Sequence, residues 1–149
     1  MTTEDYNKKR DFKKTPEPPG VAGQPAGESL HFVVHKHEAS HLHWDLRLEM
    51  DGVLKSWAVP KEPPLEPGIR RLAVQVEDHP LDYGSFEGAI PEGEYGAGTV
   101  EIWDNGRYEL QKRQTDKIEF SLVGKAMNGP YVLVHTRGKN WILLKRKTS

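Results

Sequence analysis

A series of short apolar segments, rich in valine, threonine and aromatic residues and separated by glycine and proline, constrains the fold most strongly. The pattern predicts β-strands near residues 31–35, 41–50, 53–58, 72–77, 99–103, 107–110, 117–122, 131–135 and 141–145. No long segment has the periodicity of a helix. Because many short antiparallel strands avoid exposed edges by closing on themselves, we expect an all-β fold, either a barrel or a tightly closed sandwich.

Three turn sequences predict hairpins between neighbouring strands. Asp51-Gly52 and Asn105-Gly106 are dipeptides that favour tight hairpin turns, and residues 137–140 (Arg-Gly-Lys-Asn) have a similar composition. We therefore expect turns between the second and third strands, the fifth and sixth strands, and the last two strands.

The N-terminal segment differs in composition from the rest of the chain. Residues 1–28 are rich in charge, proline and glycine, and they contain too few apolar residues to offset the entropy of ordering. We expect a flexible arm over residues 1–28 and one β domain over residues 29–149. A chain of 149 residues is typical of a single domain.

Composition excludes several functional classes. The chain has no cysteine, so a disulfide scaffold, a thiolate zinc site and a thiol nucleophile are all excluded. A net charge of −1 argues against nucleic-acid binding by bulk electrostatics, although a local basic groove remains compatible with it. The polar N-terminus and the lack of a long apolar run predict a soluble, cytoplasmic protein without membrane segments, with a monomer as the default.

A cluster of histidines lies in and before the second predicted strand. Five of the seven histidines lie between residues 31 and 43, namely His31, His35, His37, His41 and His43. In the strand that follows, alternation predicts that Leu42, Trp44, Leu46, Leu48 and Met50 face the core. The same alternation predicts that His41, His43, Asp45, Arg47 and Glu49 share the other face.

This second face could hold a metal ion. Neighbours on one strand face lie roughly 6.5 Å apart, so His43 and Asp45 can reach one ion, and His37 could join them from the preceding turn. Two imidazoles and a carboxylate suit manganese, zinc, iron or cobalt better than calcium. Arg47, one step further along, could bind a phosphate oxygen with its forked guanidinium. The alternative is a solvated face with incidental histidines, and His41 fits either interpretation.

A second group of polar residues follows in the segment from residue 71 to residue 83. Alternation predicts that Leu72, Val74 and Val76 face one side and that Arg71, Gln75 and Glu77 face the other. His79 and Tyr83 come next, in a loop that Pro80 stiffens, at a strand end where barrels commonly build sites. His79 could donate to a phosphate or protonate a leaving oxygen. Structural roles in packing account equally well for His79 and Tyr83.

Three segments together resemble a known family. HKHEASHLHWDLRLEMDGVLKSWAVPK, RLAVQVEDHPLDYGSFEGAIPEGEYGAG and RDFKKTPEP resemble the 3′-phosphoesterase domain of bacterial DNA ligase D and its free-standing archaeal and bacterial relatives. The resemblance covers about residues 9–145, without the polymerase or ligase module, so the chain looks like a stand-alone version. It implies a closed β barrel with a crescent-shaped groove.

The resemblance also implies an activity. Such enzymes use manganese or a similar ion, here with zinc or cobalt as alternatives, to remove ribonucleotides and phosphates from primer 3′ ends during DNA end joining. A phosphodiesterase step releases the terminal nucleoside, and a phosphomonoesterase step then removes the 3′ phosphate. A separate repair ligase and polymerase are the implied partners.

Individual site residues are implied by the same resemblance. The residues that match metal ligands are His37, His43 and Asp45, and those that match phosphate contacts are Arg47 and His79. Tyr83 matches a supporting tyrosine, while Lys61, Arg71 and Glu77 match further polar residues needed for activity. Arg10, Asp11 and Glu17 match residues of the arm that favour the diesterase step. His35 stands where relatives usually carry glutamine, so it could be a rival ligand or change substrate contacts.

Two rival functions remain. His43 and Asp45 also fit the first two ligands of a nonhaem iron oxygenase, with His135 as the second histidine. Alternatively, a noncatalytic barrel could bind nucleic acid ends through Arg47, Lys61 and Arg71, with the histidines in a structural zinc site.

Overall fold

The computed structural model describes residues 30–90 and 98–147. The strands of these residues are β1 Leu30–Glu38, β2 Leu42–Met50, β3 Val53–Val59, β4 Arg70–His79, β5 Gly88–Ile90, β6 Gly98–Gln114, β7 Lys117–Val123, β8 Asn128–Arg137 and β9 Asn140–Lys145. A short 3-10 helix, Leu81–Ser85, lies between β4 and β5. The predicted arm, with Arg10, Asp11 and Glu17, lies outside the described residues.

The strands close into an antiparallel barrel. Their order is β1-β2-β3-β4-β9-β8-β7-β6, and β6 pairs with β1 to complete the ring, while β5 adds to β6. The all-β closed barrel predicted from the sequence is therefore confirmed. Among the described residues, no helix is long and apolar enough to cross a membrane.

Two of the three predicted hairpin turns are confirmed. Asp51 and Gly52, between β2 and β3, have φ angles of 59° and 78°, as a turn with two positive φ angles requires. Between β8 and β9, Gly138 has a φ of 56°. Both turns join strands that pair directly with each other.

The predicted turn at Asn105-Gly106 is wrong. Both residues lie inside β6, which pairs with β1 along its first part and with β7 along its second part. Gly106 is required by a close approach between strands, because a Cβ atom there would lie 2.0 Å from the Val123 carbonyl oxygen.

Strand β5 was not predicted, since three residues are too short to show alternation.

The apolar core fills the barrel. Trp44, Leu46, Leu48 and Met50 are buried in it, as the alternation of β2 predicts. Leu42 is 42% exposed, so its predicted place in the core is wrong. It pairs with Glu38 at the very end of β1, beyond the residues that pack inside.

The outer face of β1, β2 and β3 is also buried. In the strand registers, His35 pairs with Asp45 and Arg47 pairs with Ser56, on the face opposite the core residues. Residues 80–90, which we call the covering segment, pack over this face. A Cβ atom at Gly84 would lie 3.7 Å from the Leu54 side chain, which shows how closely the segment approaches β3.

A bulge in β4 changes which side chains face outward. Leu54 pairs with His79, whereas Ser56 pairs with Val76, so β4 has one more residue than β3 over this stretch. Beyond the bulge, Glu77 and His79 both line the cavity that Tyr83 of the covering segment also lines. Arg71, before the bulge, pairs with the buried core residue Leu143 and lies on the other face. The prediction that Arg71 and Glu77 share one face is therefore wrong.

Candidate active site

Three possible metal ligands meet where β1 ends and β2 begins. His37 and His43 are cross-strand partners, and Asp45 is the next outward residue on β2. Ligand atoms of all three lie within 4.8 Å of one another. His37 Nδ1 lies 3.6 Å from one Asp45 oxygen, and His43 Nε2 lies 3.2 Å from the other. The structure thus brings together the three residues that the sequence pattern singled out.

Electrostatic contacts keep Asp45 charged although it is buried. Burial alone would raise the pKa of Asp45, but the Arg47 charge and hydrogen bonds from His37 and His43 hold it well below its usual range. Burial would lower the pKa of His43, but its hydrogen bond with Asp45 and the charge of Asp45 outweigh burial and raise it. A carboxylate that stays ionised is what metal coordination requires.

The donor set fits a divalent ion. Two imidazole nitrogens and a carboxylate oxygen suit manganese, zinc, iron or cobalt, and three protein ligands leave positions open for water or substrate. The Nδ1 atom of His43 lies 3.2 Å from the His41 carbonyl oxygen, which can only accept a hydrogen bond. This contact places a proton on Nδ1, so Nε2, which faces Asp45, is the nitrogen that can bind an ion once it has lost its own proton. His41 itself is exposed, and its carbonyl orients His43.

Arg47 lies beside this group and is 4% exposed. Its Nη2 atom lies 3.4 Å from Asp45, and its Nη1 atom donates to Ser56 Oγ at 2.9 Å. The guanidinium also packs against the Tyr83 ring, with its central carbon 4.9 Å from the ring centroid. The plane of the guanidinium is therefore fixed by several contacts at once.

His79 lies on the other side of Arg47, at the end of β4. Its Nδ1 atom lies 3.1 Å from Arg47 Nη1 and 3.0 Å from the Glu77 carbonyl oxygen. These two contacts require different tautomers of His79. If Nδ1 accepts from Arg47, the ring proton is on Nε2. If Nδ1 donates to the Glu77 carbonyl oxygen, Nε2 has a lone pair instead. In the first tautomer, Nε2 can donate to a phosphate oxygen or to a leaving group.

The covering segment encloses these residues. Tyr83, on the 3-10 helix, packs on His79 with ring centroids 4.7 Å apart, and it stacks on Phe86 at 5.1 Å. A cavity of about 350 Å³ lies over the group. Its lining includes His37, His43, Asp45, Arg47, Glu77, His79 and Tyr83. Members of both polar groups that the sequence presents separately thus line one cavity.

Other predicted site residues lie elsewhere. Lys61 is exposed in the connection between β3 and β4, and Arg71 donates from Nε to the Glu62 carbonyl oxygen at 2.8 Å. Neither lines this cavity. His35 is not one of the grouped possible ligands, because its two ring nitrogens contact Arg47 and the Phe86 carbonyl oxygen.

Sequence reasoning missed Ser56, which receives a hydrogen bond from Arg47. A small polar residue between Leu54 and Ala58 on the outward face of β3 was the available signal. The Phe86 carbonyl was also missed, and no side-chain pattern could have indicated it.

The structure weighs against both rivals. His135, the further ligand of the oxygenase hypothesis, contacts Trp141 and the Gly138 carbonyl oxygen and is not part of the ligand group. A structural zinc site normally has four protein ligands, whereas the group among the described residues has three. Arg47 is also too buried to act as a simple surface contact.

Fold and site together define an all-β barrel protein that carries a candidate metal centre beside a buried arginine, a combination suited to an anionic substrate. Residues 35–135 match the model of the DNA ligase D 3′-phosphoesterase domain. The chain belongs to this family, and membership implies hydrolysis of phosphoester bonds.

Similar proteins agree with the family match. The chain is 50% identical to the multifunctional non-homologous end joining protein LigD of Pseudomonas aeruginosa, over 96% of the chain and 18% of that protein. Identity to LigD of Mycobacterium tuberculosis H37Rv is 46%, over 95% of the chain and 19% of the relative. For LigD of Mycolicibacterium smegmatis, the values are 44%, 95% and 20%. The chain therefore spans about a fifth of the length of these relatives.

Proposed function

We propose that this protein is a metal-dependent phosphoesterase that processes the 3′ ends of nucleic acid strands during DNA repair by end joining. It would act first as a 3′-ribonucleoside phosphodiesterase and then as a 3′-phosphomonoesterase. The observation that carries the proposal is the group of His37, His43 and Asp45 beside Arg47, inside the segment that matches the phosphoesterase family.

The donor set supports manganese as the ion, with zinc or cobalt as alternatives. A divalent ion held by His37, His43 and Asp45 would supply a Lewis acid for a phosphate oxygen and lower the pKa of a bound water. Arg47 binds a second phosphate oxygen and stabilises the charge that develops on it.

His79 donates its Nε2 proton to the leaving ribose oxygen or to a phosphate oxygen. Arg47 favours the required tautomer by donating to Nδ1. Tyr83 holds the imidazole in place by packing against it. Glu77 also lines the cavity, so we assign it a supporting role at the site.

Lys61 and Arg71 lie outside the cavity, and we propose that they contact the nucleic acid strand away from the reacting phosphate. Arg10, Asp11 and Glu17 would assist the diesterase step. The polymerase and ligase of the repair pathway would act on the same ends. The protein would work as a monomer in the cytoplasm.

The test is end analysis of a labelled primer-template that ends in a 3′ ribonucleotide, incubated with purified protein and Mn²⁺. Release of the nucleoside, followed by the appearance and loss of a 3′ phosphate, is the expected result. A chelated sample and the His43→Ala variant should both be inactive.

His31→Ala is the matched control, because His31 belongs to the same histidine cluster but has a side chain 63% exposed and contacts Glu49. It should keep full activity. A primer that survives intact with manganese, zinc and cobalt alike would contradict the proposal.

A further inference from the structure

His35 occupies an unusual position between Arg47 and the covering segment. Its side chain is completely buried, with a relative exposure of 0%. Arg47 Nε donates to His35 Nδ1 at 3.0 Å, and His35 Nε2 lies 3.1 Å from the Phe86 carbonyl oxygen. An acceptor at Nδ1 and a donor at Nε2 describe one neutral tautomer, so both contacts are satisfied at the same time.

These contacts separate His35 from the metal ligands. His35 is the cross-strand partner of Asp45, which makes it a near neighbour of the metal group. Both of its ring nitrogens are nevertheless engaged, one by the arginine and the other by the backbone of the covering segment. The ring also meets Tyr83 edge-on, with centroids 5.5 Å apart.

We propose that His35 is a positioning residue for the reaction: it fixes the orientation of the Arg47 guanidinium and connects it to the covering segment that carries Tyr83. This inference rests on the proposed phosphoesterase function. His35 contacts the Nε atom of the guanidinium, Ser56 contacts Nη1, and Asp45 contacts Nη2. These three contacts together fix the plane of the guanidinium, which lines the cavity with His79 and the metal ligands.

The His35 imidazole also makes the position of Arg47 depend on the position of the covering segment. If the Phe86 carbonyl moves away, His35 loses the partner that fixes its tautomer, and Arg47 loses its acceptor at Nε. Tyr83 packs on Arg47 and His79 from the same segment. His35 therefore links the position of the covering segment to the alignment of the arginine.

Two substitutions separate positioning from filling of space. His35→Gln provides an amide oxygen that can accept from Arg47 and an amide nitrogen that can donate to Phe86. His35→Leu has a similar size but can do neither. We expect His35→Leu to lower kcat on a 3′-phosphate primer by about 10² with Mn²⁺ present, because misplacement by about 1 Å can have that effect. His35→Gln should restore kcat to near the wild-type value.

Calorimetric titration with Mn²⁺ supplies a second measurement. Both variants should bind Mn²⁺ with wild-type affinity, because His35 is not a ligand. A large loss of Mn²⁺ affinity in both variants would overturn the proposal in favour of a ligand role. Equal kcat in wild type and His35→Leu would overturn it as well.

A third measurement needs no variant and so does not depend on folding of His35→Leu. Two-dimensional ¹H–¹⁵N NMR of the metal-free wild type should show His35 protonated at Nε2 and not at Nδ1, and an Arg47 Nε–H protected from exchange with water. A proton on Nδ1 would overturn the proposal. If the wild type lacks turnover with every ion, the phosphoesterase function fails; if the wild type is active and His35→Leu matches it, only the His35 inference fails.

Discussion

Asp45→Asn is the sharpest perturbation of the candidate metal centre. The substitution keeps the shape of the side chain and removes its charge. Asp45 faces His43 at 3.2 Å, His37 at 3.6 Å and Arg47 at 3.4 Å, so its carboxylate contacts all three residues. Removing the charge leaves two imidazoles to hold an ion next to a cationic arginine.

The magnitude follows from these contacts. Substitution of residues that only support metal ligands typically lowers metal affinity 10–100-fold, and loss of a ligand charge should reach at least the top of that range, about 100-fold. A 100-fold loss corresponds to about 2.8 kcal/mol, at about 1.4 kcal/mol for each factor of ten. Folding should also weaken, by roughly 1–3 kcal/mol, because the buried Arg47 loses its charged partner.

Isothermal titration with Mn²⁺ measures the loss directly. Glu49→Gln is the matched control, since Glu49 lies on the same strand and face, is similarly buried, and contacts His31 instead of the metal group. Wild-type Mn²⁺ affinity in Asp45→Asn would refute the assignment of the metal centre. Equal losses of Mn²⁺ affinity in Asp45→Asn and Glu49→Gln would show a general effect of charge, and this result would also refute the assignment of the metal centre.

Three further predictions concern charge, pH and packing. Arg47→Lys should lower kcat by about 10²–10³, because lysine lacks the fork that reaches the partners of Arg47; Arg113→Lys, in an exposed ion pair with Asp51, is the control, and equal rates for the two variants would contradict the role of Arg47. Burial and the Arg47 charge lower the pKa of His35 from 6.5 to about 3. Between these two pH values His35 is protonated in the unfolded chain but not in the folded protein. The free energy of unfolding therefore falls as the pH falls from 6.5 to about 3. The slope should reach up to about 1.4 kcal/mol per pH unit in denaturant titrations, and His35→Gln should remove this part of it; an unchanged slope would contradict the assigned pKa. Gly106→Ala should lower thermal stability strongly, because its Cβ would lie 2.0 Å from the Val123 oxygen, whereas Gly84→Ala meets only ordinary contacts and should be tolerated; equal melting temperatures would argue against the close approach of β6 and β7.

The grouping of His37, His43 and Asp45 could be predicted from the sequence because it depends on local geometry. Alternation along β2 places His43 and Asp45 on one face whatever the rest of the chain does. His37 was expected in the preceding turn, but it lies in β1, and the short connection between β1 and β2 makes it the partner of His43. These positions needed no knowledge of long-range packing.

The remaining site residues depend on long-range structure. The bulge in β4 reverses which residues face outward, so a simple alternation from Arg71 to Glu77 fails where the extra residue is inserted. Gly106 has the composition of a hairpin turn, but contact with β7 decides its conformation. The partner of His35 at Phe86 is a backbone carbonyl 51 residues away, which no local pattern can reveal.

The site lies on the outside of the barrel, and this location allows it to be both polar and buried. The interior is filled by an apolar core, so charges there would have to be removed from water without compensation. On the outer face, Asp45 and Arg47 neutralise each other beneath the covering segment. Glu77 adds a second buried carboxylate to the same cavity, so a divalent ion bound there, as proposed, would meet negative charge on the protein and would itself attract an anionic phosphate. Under the proposed function, binding of the ion should therefore strengthen binding of the phosphate.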